Sequence, residues 1–362
     1  MTQEERPVDS PPGVSVIIPV YNGESILPRA VASVLSQDYP LREILLLNDG
    51  STDASASLLG ELRRSNPTVR VIDNERNLGL SWTLNKGLRS AVGELVLVLH
   101  QDCALLGNDW ISRAVQWFQD PQVFSVVGHP RHPVEELAPL EREFWVLRDH
   151  AMETPDRPDG DNRHTLFSEN KCDMFHRGRL LALGGFEPRL RDGGEDQVLA
   201  WRLRRTSFTV VRDSTLAFSI TLGARQRLRG HLAKDASYGR QMRQILQVTR
   251  FGALRHSPGA SLDPRFVNRV TGVLWILVGL VGIALFVVTR SPLFLLLVGI
   301  PPVLRWLQLT LRGIRERRAY RLGSRELFAL GIHGLLADIA YTVGFLLPAR
   351  RTERSDPPAP PA

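Results

Sequence analysis

Three clusters of polar and acidic residues each follow a short apolar run: Tyr21-Asn22-Gly23-Glu24, Asn48-Asp49-Gly50-Ser51-Thr52-Asp53 and His100-Gln101-Asp102. Where such runs are strands of a parallel sheet, their carboxyl ends form the edge at which ligands bind. Asn, Asp and Gly also make turns and helix caps, as Asp53 is expected to do for the helix after it. Three clusters on one rim shift the balance toward a ligand site. A fourth acidic group, Glu195-Asp196, follows Gly193-Gly194 and precedes a helix expected over Gln197 to Arg205, where two carboxylates suit the positive end of the helix dipole.

The elements that must position these clusters are readable from periodicity. Val14 to Pro19, Glu43 to Leu47, Val69 to Ile72 and Leu95 to Leu99 are short apolar runs separated by helical stretches. Strands apolar on both faces and alternating with helices predict a parallel sheet covered on both sides, an α/β fold. Between them, Ile26, Ala30, Val34 and Leu35 share a helical face, as do Leu84, Leu88 and Val92.

The chain has 362 residues, enough for one large domain and an appendage, and a formal charge of +7. Its basic residues do not stud an aromatic platform, which argues against nucleic acid. They gather in Ala224 to His256, where Leu228, Leu232, Ala236, Met242 and Leu246 fall near one helical face of a basic amphipathic segment. Val270 to Thr289 then runs without a charge and is long enough to span hydrocarbon. Leu293 to Leu311, broken by Pro301, Pro302 and Arg305, and Phe328 to Leu347, with His333 and Asp338, are the second and third candidates. Arg312, Arg315, Arg317, Arg318, Arg321 and Arg325 crowd the loop after the second. Two spans keep that loop on the cytosolic side with the first domain; a third would carry Arg350, Arg351 and Arg354 across, against the positive-inside rule, unless that segment is re-entrant or interfacial. Met1 to Gly13 lacks an apolar core and does not read as a signal peptide, so the first domain is expected in the cytosol and the protein in the cell membrane as a multi-pass chain. Cys103 and Cys172 stand in no metal-ligand or redox spacing and are expected as reduced thiols. The expected organisation is a disordered tail over 1–13, an α/β domain over 14–223, a basic interfacial linker over 224–266, two to three hydrophobic helices over 267–349 and a disordered tail over 350–362.

Read in order, Val16-Ile17-Ile18-Pro19-Val20-Tyr21-Asn22-Gly23-Glu24, Leu47-Asn48-Asp49-Gly50-Ser51-Thr52-Asp53, Asn77-Leu78-Gly79 with Asn85-Lys86-Gly87, His100-Gln101-Asp102, Gly184-Gly185-Phe186 and Gly194-Glu195-Asp196 resemble the family 2 glycosyltransferases with the GT-A fold, between Val14 and Phe218. The resemblance implies a Rossmann-like, mostly parallel sheet and an inverting transfer of a sugar from a nucleotide-diphosphate donor. It assigns Pro19, Tyr21, Glu24 and Asp49 to the nucleoside, and His100, Gln101 and Asp102 to the rest of the nucleotide-sugar. Leu99-His100-Gln101-Asp102 resembles the Asp-X-Asp metal motif with His in place of its first Asp, leaving Asp102 to hold a divalent cation, Mg²⁺ or Mn²⁺, that neutralises the diphosphate. The family's cation at the Leu84 position and its histidine after the last strand are both absent, the latter replaced by Leu216-Ala217-Phe218-Ser219.

Glu195-Asp196 matches the family's acidic pair, so Asp196 is expected as the base that takes the acceptor hydroxyl proton, with Glu195 orienting it. Gly193 and Gly194 would allow that loop to close. Arg202 and Arg205 face either the diphosphate or solvent. Membrane segments directly after the catalytic domain favour a polyprenyl phosphate or a lipid-linked glycan as acceptor, and they are too few for processive polymer export. The alternatives are a soluble acceptor, with the membrane part only an anchor, or a nucleotide-sugar-binding scaffold with impaired catalysis. No motif encodes the sugar or the oligomeric state.

Overall fold

Seven consecutive residues, Val14–Val20, form β1, and all seven are buried. A strand apolar on both faces needs cover on both sides, and helices supply it. The chain continues through α1 (Leu27–Leu35), β2 (Leu41–Asn48), α2 (Ser55–Ser65), β3 (Val69–Asp73), α3 (Leu80–Ser90), β4 (Leu95–Leu99), β5 (Cys103–Leu105), α4 (Trp110–Gln116) and β6 (Val123–Arg131). After α5 (Pro139–Asp149) come β7 (Cys172–His176), α6 (Arg177–Ala182), α7 (Glu195–Leu203) and β8 (Thr209–Ile220). The computed structural model describes residues 11–131, 137–149, 171–190, 193–221, 227–250, 264–318 and 320–347. The tails expected over 1–13 and 350–362 lie outside these residues, apart from 11–13.

All eight strands join one sheet in the order β3-β2-β1-β4-β7-β6-β8-β5. β1 runs parallel to β2 and β4, β2 to β3, and β6 to β8. β7 is antiparallel to β4 and β6, and β5 to β8. The four apolar runs seen in the sequence are thus the parallel half, and the sheet as a whole is the mostly parallel one expected. Ile17, Leu45, Leu47, Val96, Val98, Phe124, Phe175 and Phe186 belong to a single core cluster.

Helix faces follow the 3.6-residue period with local corrections. On α1 the buried set is Leu27, Ala30, Val31 and Val34, whereas Leu35 is exposed, because it falls a further 100° round from Val34. Leu84 and Leu88 of α3 are buried, but Val92 lies beyond the helix end and is 65% exposed. A Cβ on Gly87 would meet the Leu47 Cδ1 atom at 2.5 Å, so glycine lets α3 sit close on β2.

The chain divides into two compact units, Met1–His132 with Asp156–Thr221, and Pro133–Pro155 with Leu222–Ala362. The second unit therefore holds α5, together with α8 (Leu228–Thr249), α9 (Pro264–Thr289), α10 (Leu296–Arg315) and α11 (Ser324–Leu346). Among the described residues, three helices here are long and apolar enough to cross a membrane, over Gly272–Thr289, Pro292–Arg315 and Ser324–Leu346. The expected apolar stripe of α8 lies on its buried side but is shared with polar groups: His231, Asp235, Gly239, Ile245, Leu246 and Thr249 are buried, while Leu228, Leu232, Ala236 and Met242 are only partly so. Close helix approach explains this, since Gly239 and Ala236 meet the backbone of α11 at Tyr341, Gly344 and Phe345.

Candidate active site

The loops after β1 and β2 are bonded to one another. Asn22, in the left-handed region at φ 49°, accepts from the Thr52 N–H at 2.8 Å and donates its own N–H to Ser51 Oγ at 3.1 Å. The Gly23 N–H donates to Ser55 Oγ, and the Ala54 N–H to Glu24 Oε2, both at 2.8 Å. Asp53 accepts from the Ser55 N–H one residue ahead of the α2 N-cap, Ala54, and also from the Glu24 N–H. Side chains that cap turns here also join two strand ends, so the turn-making and rim-building readings are both true.

Asp49 is buried and its carboxylate accepts from Asn74 Nδ2 at 2.9 Å, the Leu78 N–H at 2.8 Å and the Gly79 N–H at 3.0 Å. It therefore braces the Asn77-Leu78-Gly79 turn that starts α3. Gly50, at φ 67°, is pressed against that same turn: a Cβ there would lie 2.6 Å from the Asn77 nitrogen. Asn74 also donates to Thr83 Oγ1, and Lys86 Nζ bonds the Asn74 Oδ1 and the Asp73 carbonyl.

From the end of β4, Gln101 spans back to β1: its Oε1 accepts from the Tyr21 N–H and its Nε2 donates to the Tyr21 carbonyl, both at 3.0 Å. Tyr21 itself is 40% exposed at the lip, Glu24 is exposed, and Pro19 is buried in β1 opposite Leu47. The strand ends thus bring Tyr21, Glu24 and Gln101 onto one edge. His100 and Asp102 continue it: the His100 N–H donates to the Lys171 carbonyl at 2.8 Å, and the Asp102 carbonyl accepts from the Thr221 N–H at 2.6 Å.

Charge at this corner is arranged by Lys171. Burial works against ionisation of Asp102, but the Lys171 ammonium, and after it His100, hold its carboxyl below the usual carboxylate range. Burial pushes His100 down to about 4, with Asp102 acting against the shift and Lys171 adding to it. Its Nε2 atom is buried and makes no hydrogen bond. At neutral pH the pair is therefore a neutral imidazole beside a carboxylate. Burial also raises the Cys103 and Cys172 thiols well above their ordinary value, so neither is a thiolate nucleophile. Among the described residues no three His, Cys, Asp or Glu side chains gather to hold a metal ion.

α7 begins at Glu195 with Gly194 as its N-cap at φ 94°. Glu195 is buried, and Asp196 Oδ1 accepts from the Gln197 N–H. Hydrogen bonds tie α3 to the Phe186 segment and that segment to the last turn of α7. Asn85 of α3 exchanges two hydrogen bonds with the Phe186 backbone, at 2.7 and 2.9 Å, and Arg202 of α7 bonds the Gly185 carbonyl and Glu187. Arg202 is thus half-buried and paired within the protein, and Arg205 stacks 4.1 Å over the Trp201 ring. Leu84 is fully buried in the core.

Lys171, Asn74 and Arg29 belong to no motif. Lys171 stands beside His100 because β7 is antiparallel to β4, pairing Leu99 with Cys172. Arg29 donates to Ser219 and Thr221 at the end of β8, the strand end where a histidine was expected and none is found.

Residues 15–180 match the model of glycosyl transferase family 2. The poly-beta-1,6-N-acetyl-D-glucosamine synthase of Staphylococcus epidermidis is 31% identical over 119 residues, 33% of this chain and 29% of that protein. The O-antigen biosynthesis protein RfbC of Myxococcus xanthus is 28% identical over 216 residues, 57% of this chain and 17% of that protein. The chain thus matches less than a third of the length of either relative. The mannosyltransferase PcManGT from Pyrobaculum calidifontis, solved in complex with GDP-Man and Mn²⁺, superposes with a TM-score of 0.56 at 18% identity, covering 93% of this chain and 90% of that one, and shares its fold.

Proposed function

We propose that the first unit is a family 2 glycosyltransferase domain with the GT-A fold, as the match of residues 15–180 and the shared fold support, and that the chain is an inverting transferase, moving a sugar from a nucleotide-diphosphate donor to a membrane-associated acceptor at the cytosolic face. The carrying observation is the rim on which the ends of β1, β2 and β4 are hydrogen-bonded together. Backbone amides and the exposed Tyr21 and Glu24 form a lip for a nucleoside. Asp49, already accepting three bonds, acts by holding the α3 turn in place and has lone-pair capacity left for one further donor.

In this reading Asp196 takes the proton of the acceptor hydroxyl as that oxygen attacks the anomeric carbon, and the nucleoside diphosphate leaves from the opposite face. Glu195, buried beside it, orients base or acceptor. Asn85 of α3 and Arg202, in the last turn of α7, both hold the 185–187 segment and so link α7, which carries the base in its first turn, to α3. Negative charge gathers on the diphosphate, near Lys171 and the neutral His100. Asp102 offers one ionised hard-oxygen ligand, which fits a divalent cation bound together with the donor phosphates rather than one resident in a protein cage. Such a cation would neutralise the leaving group; the neighbour holding GDP-Man and Mn²⁺ supports its use.

A polyprenyl phosphate or lipid-linked glycan is the proposed acceptor, supported by the three apolar helices and by relatives named for surface-polysaccharide synthesis. Membranes containing the protein should turn over one donor from a panel of UDP-, GDP- and dTDP-sugars with Mg²⁺ or Mn²⁺, and not with EDTA. Asp196→Asn should lower transfer on the order of 10² to 10⁴-fold while still binding nucleotide. Nucleotide binding without transfer by the unaltered protein, given lipid extract as acceptor, would favour the scaffold instead.

A further inference from the structure

The three apolar helices of the second unit are not alike. Only 11% and 17% of the apolar windows of α9 and α10 are buried, against 50% for α11. On α9 the exposed large apolar residues Leu274, Leu277, Leu280, Ile283 and Val287 spread over half the circumference. On α11 the only exposed positions between 327 and 345 are Phe328, Ile332, Ile339 and Val343, which fall within one narrow stripe. We propose that α9 and α10 cross the bilayer as a hairpin, and that α11 does not cross but lies in the headgroup region with this stripe against lipid.

The neighbours of α11 decide against a full span. Glu143 of α5 pairs with His333, and the Phe144 ring stacks 4.2 Å from His231 of α8 and 6.1 Å from His333. Further along, Gly344 packs on the Ala236 backbone and Gly239 on Tyr341 and Phe345, and Arg243 donates to the Leu346 carbonyl at 3.4 Å. α8 thus follows the second half of α11 and brings Lys234, Arg240 and Arg243 with it. Each such cation at a bilayer centre costs about 2.5 to 3.5 kcal/mol or more. α11 cannot sit there without them.

Depth agrees. Gly282 of α9 packs on Leu297, and Gly272, ten residues or about 15 Å earlier, packs on Asp338. Asp338 forms a buried pair with Arg305 of α10 at 2.8 Å. The Arg305–Asp338 pair therefore marks the level at which the apolar window of α9 begins. Earlier residues of α11 pack against still later parts of α10, Gly334 on Leu309 and Leu330 on Gly313, which lie beyond that level. The remaining Gly272–Thr289 window, 18 residues, is about 27 Å long, close to the hydrocarbon thickness. Two crossings also leave the arginines before α11 and Arg350, Arg351 and Arg354 after it on one side, as the positive-inside rule asks.

The inference rests on the membrane anchoring in the functional reading but not on its transfer chemistry. Single cysteines replace exposed residues, Leu293→Cys, Arg318→Cys and Leu347→Cys, while the native Cys103 and Cys172 are buried. A membrane-impermeant maleimide applied to intact cells should label Leu293→Cys, whereas the other two should react only after permeabilisation. Labelling of Leu347→Cys from the Leu293 side means three spans and overturns the proposal. As a second measurement, bimane at Ile339→Cys in nanodiscs should be quenched by shallow and not by deep doxyl lipids, in contrast to Leu280→Cys; equal deep quenching also overturns it. Recovery of the unaltered chain in the soluble fraction would overturn the membrane reading itself.

Discussion

In the first unit the large apolar residues are sealed inside and the rim is polar, while the second unit buries charged groups beside its own apolar core and turns many large apolar residues outward. Ile17, Leu45, Val96 and Phe175 are sealed in the sheet core, and Tyr21 and Glu24 are open. In the second unit Arg305, Asp338, His231 and Asp235 are buried, and Leu274, Leu280, Val288 and Val303 face outward. Each arrangement suits its solvent. Water solvates carboxylates and penalises leucine; hydrocarbon penalises any polar group that lacks an internal partner. The Arg305–Asp338 pair of the second unit is consequently an internal fastener, as Arg202–Glu187 is in the first, and the open groups on the rim are the tools.

The sharpest way to break this contrast is to strip one partner from a fastener. Asp338→Leu leaves Arg305 buried and uncompensated and should destabilise by about 3 to 5 kcal/mol, measured by denaturant titration of the full chain in detergent. Replacing both, Arg305→Met with Asp338→Leu, should recover most of that loss. If the single and double variants are equally unstable, the pair is not the fastener claimed. In the first unit, Asn85→Ala removes two buried bonds to the Phe186 loop and should cost about 1 to 3 kcal/mol. Transfer should fall more than stability predicts, because the loop positions α7; a fall in stability with kcat unchanged would separate Asn85 from the base.

The smallest effect concerns His100. Its folded pKa of about 4 lies below the ordinary 6.5, so between these values the unfolded chain takes up a proton that the folded chain refuses. Stability should therefore rise with pH from about 4 to about 6.5 and be unaffected by this group above that. His100→Gln should flatten that part of the thermal-midpoint profile; an unchanged slope would show that the imidazole is not held neutral.

Much of the first unit follows from local patterns. The runs at Val14, Glu43, Val69 and Leu95 became strands at almost the expected bounds, because a strand apolar on both faces is readable from composition alone. The polar clusters after them mark the rim because turn chemistry and ligand chemistry use the same residue types. The roles of individual residues within the rim were less accessible. Arg202 and Arg205 read from the sequence as facing either the diphosphate or solvent; the structure ties Arg202 to Gly185 and Glu187 and lays Arg205 over Trp201.

Sequence by itself determined the first four strands with helices between them, the place of the rim motifs and three segments apolar enough for a membrane, all of which are carried by periods of a few residues. Only the tertiary structure decided that Lys171 stands beside Asp102, that Asp49 braces the start of α3 and Asn85 ties α3 to the Phe186 segment, and that one of the three apolar helices is half enclosed by charged neighbours. Those outcomes depend on pairings between residues far apart in the chain, across an antiparallel ladder or a helix contact, and no local pattern encodes which distant partner closes the space.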